Sequence, residues 1–383
     1  MREAVIVEAV RTPVGKRNGV LSSIRPDDLL ANVLKEVVNR AGVSSDLIED
    51  VIIGCVSQVE EQGLNIARSA ALMADFSIKV PGTTIDRQCG SSQQAVHFAA
   101  QAILSGDMDI VIAGGVESMS RVPMGSTRKH SQPSEQLSSR YELINQGLSA
   151  ERIAEKWGFS RNQLDEFSLL SHQRAIQAQN EGRFDREIVP VEVLDDLGAK
   201  TLVTQDEGPR RGTSLEKLAT LPTVFRENGV IHAGNASQMS DGAAALLIMS
   251  KEKALELGLK PRFSIIARTI VGSDPTLMLT GPIEATRMAL DRAGLTIQDM
   301  DLYEVNEAFA PVPLCWKEEL EASMNKLNVN GGAIALGHPL GASGARVMVT
   351  LMHELERTGG RYGLQAICEG AGMANATIIK RIE

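Results

Sequence analysis

Aromatic residues are scarce. Two Trp, three Tyr and eight Phe make up 3% of the 383 residues, so a core has to be built from Ala, Val, Ile, Leu and Met. Positive charge is not in excess either: 39 Lys and Arg stand against 48 Asp and Glu, a net charge of −9. That argues against a nucleic-acid partner, because phosphate backbones are held by a basic face. It leaves room for a small anionic ligand, which needs only a local cluster of Arg or Lys. No apolar run is long enough to span a bilayer, so no membrane partner is expected. The chain opens with Met1-Arg2-Glu3-Ala4-Val5 and runs straight into a strand-like stretch, with no secretory pattern, and it ends without a peroxisomal address. The expected location is the cytoplasm. Cysteine is rare as well. Cys55, Cys89, Cys315 and Cys368 lie too far apart for a zinc set or a CxxC pair, so no metal site is expected. Cys55 and Cys315, embedded in apolar sequence, read as buried free thiols.

Glycine, in contrast, is plentiful at 34 residues, and the 43% hydrophobic and 23% charged content is that of an ordinary globular protein. An internal repeat organises the chain. Leu29 to Cys55 and Glu284 to Phe309 each carry an amphipathic helix ending in Arg-Ala-Gly, then a short polar linker and a β-rich run. Gly42 and Gly294 stand where a helix C-terminus takes a left-handed residue. Val80 to Met119 and Leu327 to Met373 continue the two copies as strand, turn, helix and strand, the first strand ending at Gly114-Gly115. Alternating strands and helices predict layered α/β architecture. The halves are residues 1–119 with 234–250, and residues 251–383. Between them lies an insertion, residues 120–233, with a polar loop, a helix opened by Ser149 and a second helix over 161–180 capped by Ser160.

Cys89 is the most informative residue. It stands in Thr84-Ile85-Asp86-Arg87-Gln88-Cys89-Gly90, where an extended run gives way to a helical pattern, a position that lowers a thiol's pKa through the helix dipole. Downstream lie Asn306-Glu307-Ala308-Phe309, Asn330 to Pro339 with Gly337-His338-Pro339, and Cys368-Glu369-Gly370. With Asn235-Ala236-Ser237 and Ser240-Asp241-Gly242, these motifs resemble, in order and over essentially the whole chain, those of the thiolases (acetyl-CoA acyltransferases). The resemblance implies a thiolase-like α/β fold, a five-layer αβαβα core of two similar halves with an inserted loop domain that binds CoA.

It also implies roles. Cys89 is the nucleophile that carries the acyl group, and His338 is the base that takes its proton. Cys368 is the acid/base that protonates the departing acetyl-CoA enolate, its thiol titrating close to working pH. The N–H groups of Gly370 and Cys89 hold one oxyanion; His338 and a water on Asn306 hold the other. Ser237 meets the pantetheine arm of CoA, Arg210 lies against its adenine, and Met278 and Phe309 line the acyl pocket. Arg211 and Lys217 read either as phosphate neighbours or as solvated loop charges. Coenzyme A and acyl-CoA are substrates, no cofactor is tightly bound, and the family implies a homodimer or homotetramer.

The chain departs from the family pattern at Asp86, at Ser92-Gln93-Gln94, at Ala371 and Ala374, and at Asn145-Gln146-Gly147, where acetoacetyl-CoA enzymes carry His-Met-Gly. The last departure predicts a pocket for acyl groups longer than acetyl and a degradative role, the alternative being an acetoacetyl-CoA-specific acetyltransferase. Related condensing enzymes lack a second cysteine in a Cys-x-Gly setting, so Cys368 argues against them. A non-catalytic acyl-CoA-binding protein would not need Cys89, His338, Asn306 and Cys368 together. The glycine-rich 331–337 run lacks the spacing of a nucleotide-binding loop.

Overall fold

A computed structural model describes residues 2–194 and 198–382. Met1, Glu383 and residues 195–197 of the expected insertion lie outside the described residues. The main strands are β1 (Ala4–Arg11), β2 (Asp50–Gly54), β3 (Gly82–Ile85), β4 (Ile110–Ser118), β5 (Ser240–Ser250), β6 (Phe263–Gly272), β7 (Leu302–Val305), β8 (Tyr362–Glu369) and β9 (Met373–Arg381). They join in the order β7-β8-β9-β6-β1-β5-β4-β2-β3, with the two-residue strand Gly15–Lys16 beside β5. The two halves of this sheet meet at a short antiparallel joint, Val5 opposite Ser264 and Ile6 opposite Phe263.

Alternation of side chains along each strand builds the layers. On β5, Ala243, Ala245, Leu247 and Met249 face the helices α1 (Pro26–Ala41) and α2 (Ile66–Met73). Ala244, Leu246 and Ile248 face the other way, onto α3 (Ser91–Ser105) and α8 (Ser343–Thr358). Leu302 of β7 and Ile379 of β9 join that same cluster, so α3 and α8 form a central layer between the two half-sheets. The outer face of β6 to β9 packs on α6 (Gly281–Ala293) and α7 (Pro311–Glu319), through Ala267, Val305, Leu364, Ala376 and Trp316. Helix, sheet, helix, sheet, helix is the expected five-layer order. Small Ala, Val and Ile side chains fill it, as the shortage of aromatics requires. Gly42 and Gly294 close α1 and α6 with φ of 67° and 63°.

The repeat elements fall where the periodicity puts them, with two corrections. The strand expected to end at Gly114-Gly115 runs on to Ser118. A Cβ on Gly115 would stand 2.2 Å from the Gly341 carbonyl oxygen, so these glycines let the loop after His338 lie directly on the sheet. In the insertion, the helix expected to open at Ser149 begins at Gln146; its N-cap is Asn145, whose Oδ1 accepts from Gly147 N–H at 2.8 Å. Ser149 instead donates its hydroxyl to the Thr276 carbonyl at 2.5 Å. This helix is α4 (Gln146–Trp157), and α5 (Arg161–Asn180) follows with the expected Ser160 cap in a full capping box. A buried Arg11 ties the insertion to β1, bonding Glu187 at 2.6 Å and both oxygens of Asp206 at 2.7 and 2.9 Å.

Candidate active site

Cys89 sits in the turn between β3 and α3, and the turn is strained. Gln88 holds φ at +49°, a conformation that costs a residue with a Cβ about 1–3 kcal/mol. Neighbouring groups hold it there: Asp86 Oδ1 accepts from the Gln88 N–H at 2.7 Å, and the Ser91 hydroxyl donates to the Gln88 carbonyl at 2.6 Å. The departure at Asp86 is thus an anchor of the turn. The backbone N–H groups of Cys89 itself and of Gly370 lie near enough to favour a charge on the Cys89 sulfur. Cys368, the penultimate residue of β8, lies close enough for a charge on Cys89 to oppose its ionisation.

Both thiols differ from expectation. Burial pushes Cys89 up to about 12, with the Glu369 carboxyl as the next contributor, and burial pushes Cys368 well above its ordinary value. The helix N-terminus does lie at Cys89, yet loss of water outweighs it. Both cysteines are therefore neutral thiols at ordinary pH.

Asn306 follows β7, and His338 projects from the loop before α8. The two meet, Asn306 Nδ2 standing 3.4 Å from His338 Nε2. The Ser343 hydroxyl donates to the Pro339 carbonyl at 2.8 Å, so toward His338 Nδ1, 2.6 Å away, it accepts. The ring proton therefore sits on Nδ1, and Nε2 carries the free lone pair. Burial lowers His338 to about 3, which keeps the ring neutral, with its Nε2 lone pair available, at ordinary pH. Asn306 Oδ1 is buried and, among the described residues, has no hydrogen-bond partner, which leaves it an acceptor to be satisfied. No hydrogen bond among the described residues links this pair to Cys89 and Gly370. They share a neighbourhood through β8: Asn306 N–H donates to the Ala366 carbonyl at 3.0 Å, one turn of the pleat before Cys368.

Two buried carboxyls that motif reading did not single out hold these loops. Glu307 accepts from Ser171 at 2.7 Å, Asn328 Nδ2 at 2.9 Å and Ile334 N–H at 3.1 Å. Glu117 accepts from the N–H groups of Val56, Ser57 and Gly341 and from Gln62 Nε2, at 2.8 to 3.0 Å. Gly337 completes the His338 loop at φ +103°, where a Cβ would lie 2.3 Å from Ser240 Oγ.

The remaining candidates lie around this centre. Ser237 N–H donates to the Ala308 carbonyl at 2.9 Å, which lays its loop along the Asn306 to Phe309 segment. Phe309 and Met278 are buried in one cluster with Cys368. Phe309 meets Phe225 edge to face at 6.0 Å, and a Cβ on Gly147 would lie 2.3 Å from the Phe225 ring, so Phe225, which has no sequence signal of its own, packs into the space that Gly147 leaves beside Phe309. Gln146 Nε2 comes within 3.2 Å of where a Cβ on Gly370 would be. Arg210 is exposed, and only its backbone is engaged, donating to His172 Nδ1 at 3.2 Å. Arg211 bonds Asn180 at 2.9 Å, and Lys217 bonds the Gly212 carbonyl. Among the described residues no group of three or more His, Cys, Asp or Glu could hold a metal ion, and no helix is long and apolar enough to cross a membrane.

Known proteins carry the same pattern. The family models for the thiolase N-terminal and C-terminal domains match residues 4–252 and 259–381. A steroid 3-ketoacyl-CoA thiolase of Mycobacterium tuberculosis is 48% identical over 100% of this chain and 95% of its own length. A 3-ketoacyl-CoA thiolase of Aliivibrio fischeri is 47% identical over the full length of both. The crystal structure of the Bacillus anthracis acetyl-CoA acetyltransferase superposes with a TM-score of 0.93 at 39% identity, covering 100% of this chain and 99% of that one. Two half-sheets around a central helical layer, a cysteine at the head of one central helix and a Gly-His-Pro loop before the other, matched over both domain models, make this chain a member of the thiolase family and an acyltransferase.

Proposed function

We propose that the chain is a degradative 3-ketoacyl-CoA thiolase working on acyl groups longer than acetyl, with Cys89 as its acyl carrier. The observation that carries this reading is the 3.4 Å approach of Asn306 to His338 Nε2, beside a Cys89 whose own N–H and that of Gly370 favour charge at the sulfur. His338 Nε2 takes the Cys89 proton as the sulfur attacks C3 of a 3-ketoacyl-CoA. The C3 oxyanion forms in front of the two N–H groups, preorganised donors of the kind worth about 3 kcal/mol each when removed. Collapse breaks the C2–C3 bond. The acetyl-CoA enolate, its oxygen facing the new His338 Nε2–H and a water on Asn306, takes a proton from Cys368. Coenzyme A then gives its thiol proton to the Cys368 thiolate and attacks the acyl-Cys89 thioester, and the expelled Cys89 sulfur recovers its proton from His338. Neutral resting groups suit this sequence, since charge appears only as the oxyanion is stabilised.

Chain length rests on the departures at Asn145 and Gln146, where acetoacetyl-CoA enzymes carry His and Met, and the relatives cited include a steroid 3-ketoacyl-CoA enzyme. Ser237, in the first core half, and Arg210, in the insertion over 120–233, are assigned to CoA. The two core halves are residues 1–119 with 234–250, and 251–383. We assign a cytoplasmic location and a homodimer or homotetramer. The oligomer is supported by the open edge of β3 and by large exposed apolar side chains, Leu64 at 96% and Ile78 at 81%. A thiolysis assay over a chain-length series of 3-ketoacyl-CoA, beside Cys89→Ala, tests the whole reading. Cleavage of longer substrates, lost in the variant, is expected. A preference for acetoacetyl-CoA refutes the chain-length assignment, and undiminished cleavage by Cys89→Ala refutes the mechanism.

A further inference from the structure

Glu369 has no part in that mechanism, yet it lies beside the nucleophile. It ends β8 between Cys368 and Gly370, and its side chain is fully buried with neither carboxyl oxygen hydrogen-bonded. It points to the face opposite Cys368, toward the central layer. There it meets Gly90, the residue after Cys89: a Cβ on Gly90 would stand 1.9 Å from Glu369 Oε1. An acidic side chain stripped of water and partners, lodged against the N-cap of α3, is costly to keep. We propose that Glu369 is a positioning residue for the thiolase reaction that acts through Cys89, its carboxyl governing how readily the neighbouring thiol gives up its proton.

The argument is electrostatic and follows from place. A carboxylate at Gly90 opposes a thiolate at Cys89; a neutral acid does not. The groups facing Glu369 are few. The turn supplies Cys89, Arg87, whose charge favours the carboxylate, and Asp86, whose charge disfavours it. Cys368, next to it on the strand, leaves from the opposite face. In α3 the only titratable group is buried His97, and Met373 to Asn375 of β9 carry no charge. Burial raises Glu369 to about 8, so the acid is neutral in the working range and ionises as pH rises through that value. Each step toward alkaline pH, which alone would favour the Cys89 thiolate, thereby also installs a charge that opposes it.

The proposal rests on Cys89 being the reactive thiol, and its test needs no substrate. Alkylation of Cys89 by iodoacetamide, located by mass spectrometry, is followed from pH 6.5 to 9.5 in wild type and Glu369→Gln. At the acid end the two rates should agree, because both side chains are neutral. Near pH 9 the variant should react roughly tenfold faster, a one-unit relief of like-charge repulsion. A rate ratio that does not change with pH overturns the proposal, since a purely structural effect shifts all rates alike. Glu369→Leu, neutral at every pH, must reproduce the glutamine profile, and serves alone if the glutamine variant does not fold; a leucine variant that follows wild type overturns it too. Thiolysis measured on the same preparations separates the two readings. Wild-type protein that alkylates as expected but cleaves no 3-ketoacyl-CoA refutes the proposed function, whereas a flat ratio refutes only the role of Glu369.

Discussion

Replacing Glu117 by Ala removes the bracket that fixes the His338 loop to the opposite half of the site. Its carboxyl accepts from Val56 N–H at 2.9 Å, Ser57 N–H at 3.0 Å, Gln62 Nε2 at 2.8 Å and Gly341 N–H at 2.8 Å; Glu117, Ser57, Gln62 and Gly341 are buried and Val56 is half-buried. Alanine leaves three backbone N–H groups and one amide without an acceptor, at about 1–3 kcal/mol for each that is shut off from water. Water entering the vacated space recovers part of this, so the net loss is about 3–5 kcal/mol. For a chain of this size that corresponds to a fall in melting temperature of roughly 5 °C. The functional loss is larger in proportion, because Gly341 lies three residues from His338 and the freed loop no longer holds Nε2 in place. A drop in kcat of at least about tenfold is expected, equivalent to 1.4 kcal/mol of misplacement, with the KM for coenzyme A little changed. Glu117→Gln, which keeps one acceptor oxygen but turns an amide against two donors, should fall between. Differential scanning fluorimetry and steady-state thiolysis read both effects. An alanine variant that melts within a degree of wild type and keeps its kcat refutes the bracketing role.

Three further outcomes are expected. Ser343→Ala deprives His338 Nδ1 of its 2.6 Å partner and should lower kcat about tenfold without altering the fold, checked by kinetics beside circular dichroism. Ala371 holds φ at +66°, a left-handed conformation costing about 1–2 kcal/mol, so Ala371→Gly should raise stability by about 0.5–1 kcal/mol in denaturant titration after allowing for glycine's chain entropy. Because His338 is lowered to about 3, it is neutral at every pH well above that value, and the profile of kcat/KM should show no acid limb near the ordinary histidine range; a limb with a midpoint near 6.5 would contradict the assignment of His338 as a buried neutral base.

What could be read from the sequence followed locality. Ser160 and Gln163, three residues apart, announce a capping box, and the box forms. The alternating and helical periods of the repeat gave the strands and helices of both halves because burial enforces them residue by residue. Ser149 misled because a serine before an apolar run looks like a cap, while Asn145, with a better-placed carbonyl, took that position and Ser149 turned to Thr276, 127 residues away. Glu117 and Gly341 are 224 residues apart, and no pattern in either segment announces their bond. Phe225 lies in a loop with no periodicity and packs beside Phe309 only because Gly147 leaves it space. The thiol acidities were misjudged for the same reason: a helix N-terminus is legible in a string of letters, but the depth at which it is buried is not.

The joint between the half-sheets carries one more consequence. Within the sheet two residue pairs of β1 and β6 bridge them, and Cys89 is carried by the first half of the chain while His338, Asn306 and Cys368 are carried by the second. Chemistry here is a property of registration between two half-sheets across the helical layer they share. A small slip between them would silence the enzyme while leaving every helix and strand intact. On warming, inactivation should therefore run ahead of the loss of far-ultraviolet ellipticity, and bound acyl-CoA, spanning the seam, should close the gap between the two curves.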